Sequence, residues 1–431
     1  MALHKAIAAN SIYRFFNIGI QLLSTVLLSR LMGIEGYGLI SLVIATVAIF
    51  NMATSLGLDS AITYHIASGK LKLQHIYWLI GVILLVQVGL AIVTEAASFL
   101  ITGNHFLAIT LPVLLVFVIS TSLTEKLTAL LNGFHFYTLL NRWLVIINAI
   151  MLLVWGVLWF GDAGWQTHNY VLLYVILSAL QTLVLLVVFR IASGQGFSFI
   201  APAKAQLRLF AAYAFVEYLA NVIQFVAYRA DYWILDHYYD KKELGWYALA
   251  VKLSQFFWVL PNLIGSILFP VVSNQLPGSA PTQVTQLIRI MNLSGLLLLI
   301  ICACTAGFII PWVFGEAFTS SAPLLLWLLP GVWLYSITVV LGGYFSGIYK
   351  PEVTLYSAAI CLSTILIFDF WLIPGMGKTG AAIASTIAYS ITAFYNIYKY
   401  CSLTQQSFTQ LFIPQRDDMK RLREMIYKAE D

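Results

Sequence analysis

Long apolar runs follow one another along almost the whole chain, and no other feature constrains the fold as strongly. About 20 mainly apolar residues suffice to cross a membrane as one helix. We predict one membrane-spanning helix, here called a span, for each of twelve runs, at residues 10–32, 38–58, 76–98, 107–131, 143–161, 169–190, 208–235, 246–270, 287–310, 323–347, 354–373 and 380–400. Charged residues interrupt the seventh and the eleventh of these spans.

The charge content agrees with a protein whose solvent is lipid. Charged residues make up 10% of the 431 residues and hydrophobic residues 61%, whereas soluble domains carry about 25% charged residues. The start, Met1 to Lys5, leads directly into an apolar run, so we expect no cleavable signal peptide. We therefore predict an all-α integral membrane protein of about twelve transmembrane helices.

Basic residues are distributed unequally between the two ends of the spans. With the N-terminus placed in the cytoplasm, 17 of the 23 Lys and Arg residues, Lys126 among them, fall at inner ends and 6 at outer ends. Because cytoplasmic loops carry an excess of Lys and Arg, we predict that both termini are cytoplasmic.

The two halves of the chain resemble each other. A shift of 207 residues places Glu35–Leu42 on Lys242–Leu249, and a slightly larger shift places Asn132–Phe134 on Ser346–Ile348. Six helices per half predict parallel repeats, related by a pseudo-two-fold axis along the membrane normal. We expect an N-terminal six-helix lobe at residues 1–200, a C-terminal six-helix lobe at 201–402 and a cytoplasmic polar tail at 403–431.

Polar residues form stripes on single faces of the first, seventh and eighth spans. A charge at mid-helix costs roughly 2.5–3.5 kcal/mol on insertion, so such residues face other helices or a watery cavity. We interpret the stripes as the lining of a cationic cavity for an anionic substrate head, although hydrogen bonding between helices explains the amides equally well. The substrate-binding candidates are Arg14, Asn17, Gln21, Asn221, Gln224, Lys252 and Gln255.

Three further charged residues lie on the seventh span. Glu217, Arg229 and Asp231 are candidates for ion coupling, or for charge pairing with one another or with Lys252. A pair that merely stabilises the lobe and a proton-coupling site remain equally open.

The sequence contains no pattern typical of catalysis or cofactor binding. The four cysteines lie mostly inside apolar runs, and the seven histidines lack ligand spacing. The segment Gly375–Gly380 lacks the spacing of a phosphate-binding loop. We expect no catalytic residues, no metal, no cofactor and no nucleic-acid partner, and we predict that the protein is not an enzyme.

Several short motifs, in order, resemble bacterial polysaccharide repeat-unit flippases of the O-antigen type, within the multidrug/oligosaccharidyl-lipid/polysaccharide exporter superfamily. The match is poor before the sixth span, where Gly161–Gly164 leads into Trp165 instead of a run of small residues. The motifs that carry the resemblance are Leu28–Leu39, Leu56–Ala61, Asn132-Gly133, Ala230-Asp231, Gly245–Tyr247 and Gly380–Ala384.

The resemblance implies a substrate and a location. The substrate would be an undecaprenyl-pyrophosphate-linked oligosaccharide, moved from the inner to the outer leaflet of the bacterial cytoplasmic (inner) membrane by alternating access of two lobes, for O-antigen and lipopolysaccharide biosynthesis. Partners would be the lipid bilayer and other glycan-assembly proteins of the inner membrane. Three rivals remain: a multidrug or cation antiporter of the same superfamily, a membrane glycan polymerase or ligase, against which the short loops argue, and a purely structural membrane partner of the glycan-assembly machinery.

Overall fold

The computed structural model describes most of the chain and shows two compact units, Met1–Val222 and Ile223–Asp431. The two units divide at Val222 and Ile223, whereas the sequence analysis places the boundary between the lobes at residue 200. The described residues are 2–55, 58–67, 72–103, 109–134, 136–161, 164–194, 196, 198–203, 219, 222–262, 264–265, 268, 280–348 and 350–413, a few of them inside helices by backbone only. No β-strand occurs among these ranges, which confirms the all-α prediction.

Long helices make up both units. The first unit contains α1 (Ala2–Ser55), α2 (Leu58–Ala67), α3 (Leu73–Thr102), α4 (Leu111–Gly133), α5 (Tyr137–Phe160) and α6 (Thr167–Ser193). The second contains α7 (Ala230–Tyr238), α8 (Lys241–Ser254), α9 (Ala280–Phe314), α10 (Ser321–Gly347), α11 (Pro351–Thr404) and α12 (Phe408–Phe412), with short 3-10 helices at Gln255–Trp258 and Glu316–Phe318.

Two glycines divide the two longest helices. Gly33 in α1 has φ 66° and ψ −172°, and Gly377 in α11 has φ 56° and ψ −136°. Side chains with a Cβ avoid such positive φ values, so glycine permits the break. Eight described helices are long and apolar enough to cross a membrane, α1 and α11 among them. Each of these two therefore supplies a pair of predicted spans, the first with the second and the eleventh with the twelfth.

The internal repeat is visible in the helix boundaries. The break at Gly33 and the N-cap of α8 at Asp240 are 207 residues apart, as are the first residues of α3 and α9. The ends of α4 and α10 and the starts of α5 and α11 are 214 apart. The caps of α6 and α11, Gly194 and Gln405, are 211 apart and both left-handed. These offsets define equivalent positions in the two units.

In the first unit, α2 packs closely against the last turns of α4. A Cβ on Gly133 would lie 2.9 Å from the Cβ of Ile66, so only glycine permits this approach. The Thr63 hydroxyl donates to the carbonyl of Ala129 at 3.2 Å. In the first turn of α2, the Asp59 carboxylate lies 2.9 Å from the buried Lys126 ammonium of α4. An ion pair and a close backbone contact thus hold α2 in place.

After its last long helix, each unit has a short segment that contacts the third helix of the same unit, α3 in the first unit and α9 in the second. The carbonyl of Ile200 lies 2.9 Å from Nδ1 of His75 in α3. In the second unit, the Asn292 amide in α9 donates to the carbonyl of Leu411 at 3.1 Å. Ile200 and Leu411 are equivalent at the 211-residue offset. We call these two segments, residues 198–201 and 407–413, the closing segments.

In the second unit, the connection after α7 is fastened to the break in α11. The Tyr239 hydroxyl donates to the carbonyl of Pro374 at 3.0 Å. The Lys378 ammonium lies 2.5 Å from the Glu243 carboxylate. These contacts hold the end of α7 and the start of α8 against the break in α11. The helices α7 and α8 and the two halves of α11 also supply the residues described next.

Candidate functional site

An interruption of the helix at Tyr228 and Arg229 determines where Asp231 lies. Residues 222–227 are helical, Tyr228 and Arg229 form a turn, and α7 begins at Ala230. The turn falls at Arg229, one of the charged residues that interrupt the seventh predicted span. Asp231 lies in the first turn of α7, where the helix dipole favours negative charge.

Asp231 is bound by hydroxyl groups from two other helical segments. Its carboxylate accepts a hydrogen bond from the Tyr247 hydroxyl on α8, and the Ser385 hydroxyl on α11 lies 3.5 Å away. The Tyr247 and Ser385 hydroxyls are themselves 3.0 Å apart. Asp231 is 1% exposed, so these hydroxyls replace the water that an exposed carboxylate would have.

A second carboxyl group lies close by and is unsatisfied. Asp369, on the half of α11 before Gly377, is fully buried, and neither of its carboxyl oxygens has a hydrogen-bond partner among the described residues. Asp231 lies close enough to act on Asp369 electrostatically. Two neighbouring buried carboxyl groups are costly, and the nearby Arg229 guanidinium can offset the charge of only one of them. The arrangement is therefore chemically suited to hold a proton or a metal cation. We call Asp231, Tyr247, Asp369 and Ser385 the acidic cluster.

The first unit has nothing similar at the equivalent positions. Ser24, Ile40, Trp155 and Tyr174 stand there, without a carboxyl group among them. Since both units build the same helices, the fold itself does not demand acids at these places. The acidic cluster is thus a specialised feature of the second unit. Among the described residues, no group of three or more His, Cys, Asp or Glu side chains could hold a metal ion.

Arg229 lies near the acidic cluster, and Lys252 lies near Arg229. The Arg229 guanidinium donates to the Tyr232 hydroxyl at 2.9 Å and lies 4.9 Å from the centre of that ring. Arg229 acts electrostatically on Asp231 and also on Lys252, which is half-buried. Of the three residues predicted for ion coupling or charge pairing, the structure places Arg229 and Asp231 near each other, while Glu217 lies outside the described residues.

The predicted substrate-binding residues fall into three groups. Asn17 accepts a hydrogen bond from the Asn148 amide at 2.7 Å, which is pairing between helices of one unit. Gln21 is exposed, and Gln224 and Gln255 are half-buried. Arg14 lies on α1 without a described side chain, and Asn221 lies outside the described residues. The prediction that these residues share one binding site stays a prediction.

Sequence reasoning missed Tyr247, Asp369 and Ser385. A signal was available for Asp369, because it is a charged residue within the span predicted at 354–373, and such residues mark functional sites. Tyrosine and serine are common in membrane helices, so only the three-dimensional contacts identify the other two.

Comparison with known proteins places the chain in a family. The family model described as "Polysaccharide biosynthesis protein" matches residues 3–276, and the model described as "MatE" matches residues 217–371. The comparison with curated proteins gave no match.

Several solved structures share the fold. The lipid II flippase MurJ, in an inward closed conformation, is 15% identical over 97% of this chain and 96% of its own, with a TM-score of 0.74. An inward-facing multidrug resistance MATE family transporter is 14% identical over 90% and 95%, with a TM-score of 0.65. A superfamily transporter from Pyrococcus furiosus is 13% identical over 94% and 97%, with a TM-score of 0.62. The chain therefore belongs to the polysaccharide biosynthesis protein family and shares its fold with solved membrane transporters and flippases.

Proposed function

We propose that this protein is a flippase that moves an undecaprenyl-pyrophosphate-linked oligosaccharide repeat unit from the inner to the outer leaflet of the bacterial cytoplasmic membrane. The family match over residues 3–276 carries the proposal. A sugar–pyrophosphate head cannot cross hydrocarbon unaided, because its polar groups and charges are costly there. The two units would move the head by alternating access while the lipid tail stays in the bilayer.

We assign the anionic head to basic residues of both units, Arg14 in the first and Lys252 in the second. Arg229, which acts on Lys252 electrostatically, adds positive charge to the second unit. A pyrophosphate is a strong hydrogen-bond acceptor, and basic side chains are its usual protein partners. The glycan would serve O-antigen and lipopolysaccharide biosynthesis, with other glycan-assembly proteins of the inner membrane as partners.

We also propose that the acidic cluster binds the coupling ion. Its two buried carboxyl groups support this role, because Arg229 compensates one negative charge and one proton or monovalent cation would compensate the other. Binding and release of that ion would bias the second unit between its two states, which is how an ion gradient drives transport.

Deletion of the gene in its host tests the flippase proposal. We expect a lipid-linked oligosaccharide to accumulate on the inner leaflet, and the full-length protein expressed from a plasmid to clear it. Unchanged surface glycan and no accumulated intermediate in the deletion strain would refute the proposal. Purified protein that joins or cleaves lipid-linked glycans would favour the polymerase or ligase instead.

A multidrug antiporter is the second candidate, favoured by the "MatE" match over residues 217–371 and by the carboxyl groups of the acidic cluster. Arg229 and Lys252 oppose it, since they repel organic cations. An antiporter would raise the tolerance of a drug-sensitive host to cationic dyes, and a glycan flippase would not.

A further inference from the structure

Next to the acidic cluster, four aromatic side chains fill the interior of the second unit. Each ring contacts the other three, with centroids 5.1–6.1 Å apart. We call these residues the aromatic tetrad: Tyr228, Trp258, Tyr335 and Tyr389.

The first unit has four small or amide side chains at the equivalent positions. Offsets of 207 residues for the first two, 214 for the third and 211 for the fourth give Gln21, Asn51, Thr121 and Ser178, which we call the polar tetrad. A contact supports the equivalence: the Asn51 amide donates to the Thr121 hydroxyl at 2.8 Å, where Trp258 and Tyr335 touch in the second unit. The two units therefore place opposite chemistry at equivalent positions of the repeat.

Asn51 is the member of the polar tetrad that points most strongly to a ligand. It is 1% exposed, and its carbonyl oxygen, Oδ1, has no hydrogen-bond partner in the described part of the chain. Buried amides normally have their partners, and an unsatisfied one costs stability. Gln21 is exposed, so the polar tetrad has members both at the surface and in the interior of the first unit.

Thr121 lies on α4 and Ser178 on α6, and these two helices contact each other both before and after the two residues. One turn before Thr121 and Ser178, the rings of Phe117 and Tyr174 meet edge to face with centroids 5.8 Å apart. On the other side, the hydroxyls of Thr124 and Thr182 are 2.8 Å apart. Where the second unit has the four rings of the aromatic tetrad, the first unit has uncharged side chains that donate and accept hydrogen bonds.

We propose that the polar tetrad binds neutral polar groups of the transported glycan, its hydroxyls and amides, inside the first unit. This inference rests on the proposed function and adds a sugar-reading site to it. Hydroxyls of a sugar both donate and accept, as do the side chains of the tetrad, and Asn51 Oδ1 supplies the acceptor that a sugar hydroxyl would satisfy.

The test uses purified full-length protein in lipid nanodiscs and two probes: undecaprenyl pyrophosphate, and the lipid-linked oligosaccharide that accumulates in the deletion strain. Thr121→Tyr and Ser178→Tyr introduce the residues that the second unit has at the equivalent positions. We expect the double variant to bind the oligosaccharide probe about tenfold more weakly, as the loss of two hydrogen bonds implies, and to bind undecaprenyl pyrophosphate normally.

Asn51→Leu keeps the inference testable should the tyrosine variants fail to fold. It removes the unsatisfied Oδ1 together with the one hydrogen bond to Thr121, so the loss of stability should be small, while oligosaccharide binding should fall. Asn396→Leu is the matched control, because the Asn396 side-chain nitrogen donates two hydrogen bonds, to the Ser357 hydroxyl at 2.6 Å and to the carbonyl of Thr392 at 2.8 Å. We expect the control to lose stability and keep the ratio of the two affinities.

Equal weakening of both probes, or unchanged oligosaccharide binding, would overturn the sugar-reading site and leave the flippase proposal standing. Wild-type protein that binds both probes equally would have the same consequence. Wild-type protein that binds neither probe would overturn both proposals.

Discussion

The Lys126 ammonium and the Asp59 carboxylate form an ion pair at 2.9 Å in which Lys126 has no exposed side-chain surface and Asp59 keeps 37% of its own. The equivalent positions in the second unit are Val340 and Ser266, so the repeat folds without charge at either place. Removing one partner therefore has unequal consequences. An unpaired Asp59 carboxylate would be partly exposed to solvent, whereas an unpaired Lys126 ammonium would be fully buried.

We predict that Asp59→Asn destabilises the protein more than Lys126→Met. The first change leaves a buried cation without its main partner and should cost about 3–5 kcal/mol, whereas the second leaves a partly solvated carboxylate. Asp236→Asn, which removes a partner of Lys241 from a more exposed pair, should cost about 0–1 kcal/mol. Thermal unfolding in detergent measures all three, and Asp59→Asn/Lys126→Met should recover most of the loss. An equal cost for the two single changes would contradict the asymmetry.

Gly377 should tolerate no side chain. Gly377→Ala forces a Cβ into a positive-φ conformation and within 3.1 Å of the Glu243 carboxylate, so it should lower stability by about 1–3 kcal/mol. Gly375→Ala is the matched control, because a Cβ there meets nothing within 4 Å and alanine favours helix. Thermal unfolding of the two variants decides the matter, and similar melting temperatures would refute the role given to the break.

Asp369→Asn should abolish ion-driven transport without destabilising the protein, because it removes a carboxyl group that has no hydrogen-bond partner among the described residues. The measurement is movement of the lipid-linked oligosaccharide in membrane vesicles under an imposed proton or sodium gradient. Asp236→Asn should behave like wild type. Transport by Asp369→Asn that still follows the gradient would exclude the acidic cluster as the ion site.

Arg14→Ala and Lys252→Ala should each impair export while the protein still reaches the membrane. A charge-assisted contact is worth roughly 1.5–3 kcal/mol, which corresponds to about ten- to a hundredfold in binding. Arg14→Lys should retain more activity than Arg14→Ala, since the charge remains. Surface glycan at wild-type protein level is the readout. Normal export by Arg14→Ala/Lys252→Ala would rule out the cationic cavity.

The charge asymmetry predicts that Lys70 faces the cytoplasm and that Asp240 faces outward. Single cysteines at the two positions, in a cysteine-free background, should react differently with a membrane-impermeant thiol reagent applied to intact cells. We expect Asp240→Cys to be labelled at once and Lys70→Cys only after the membrane is opened. The reverse pattern would invert the topology.

Hydropathy predicted the membrane helices well because the requirement for about 20 apolar residues is local. It also separated the spans on either side of Gly33 and Gly377. It marked charged residues in the seventh span, but it could not show that the helix ends at Tyr228 and Arg229, because a charge in a span does not by itself break the backbone. It could not find the burial of Lys126, which the charge asymmetry places at an inner end, since its partner Asp59 lies on another helix.

The same limit applies to the candidate site. A stripe of polar residues on a helix face shows that they avoid lipid, and it does not show what they touch. Asn17 binds Asn148, while Asp231 meets Tyr247 and Ser385, and no spacing distinguishes the two cases. The comparison of the two repeats does better, because each unit shows which side chains the other could have had.

The closing segments have a consequence for how the protein is made. Because Ile200 docks on α3, the contacts that complete the first unit lie entirely within residues that leave the ribosome before α7 is synthesised. Domains generally fold as units in the order of their synthesis. The first unit can therefore fold during translation, so it is already folded when the helices of the second unit are synthesised.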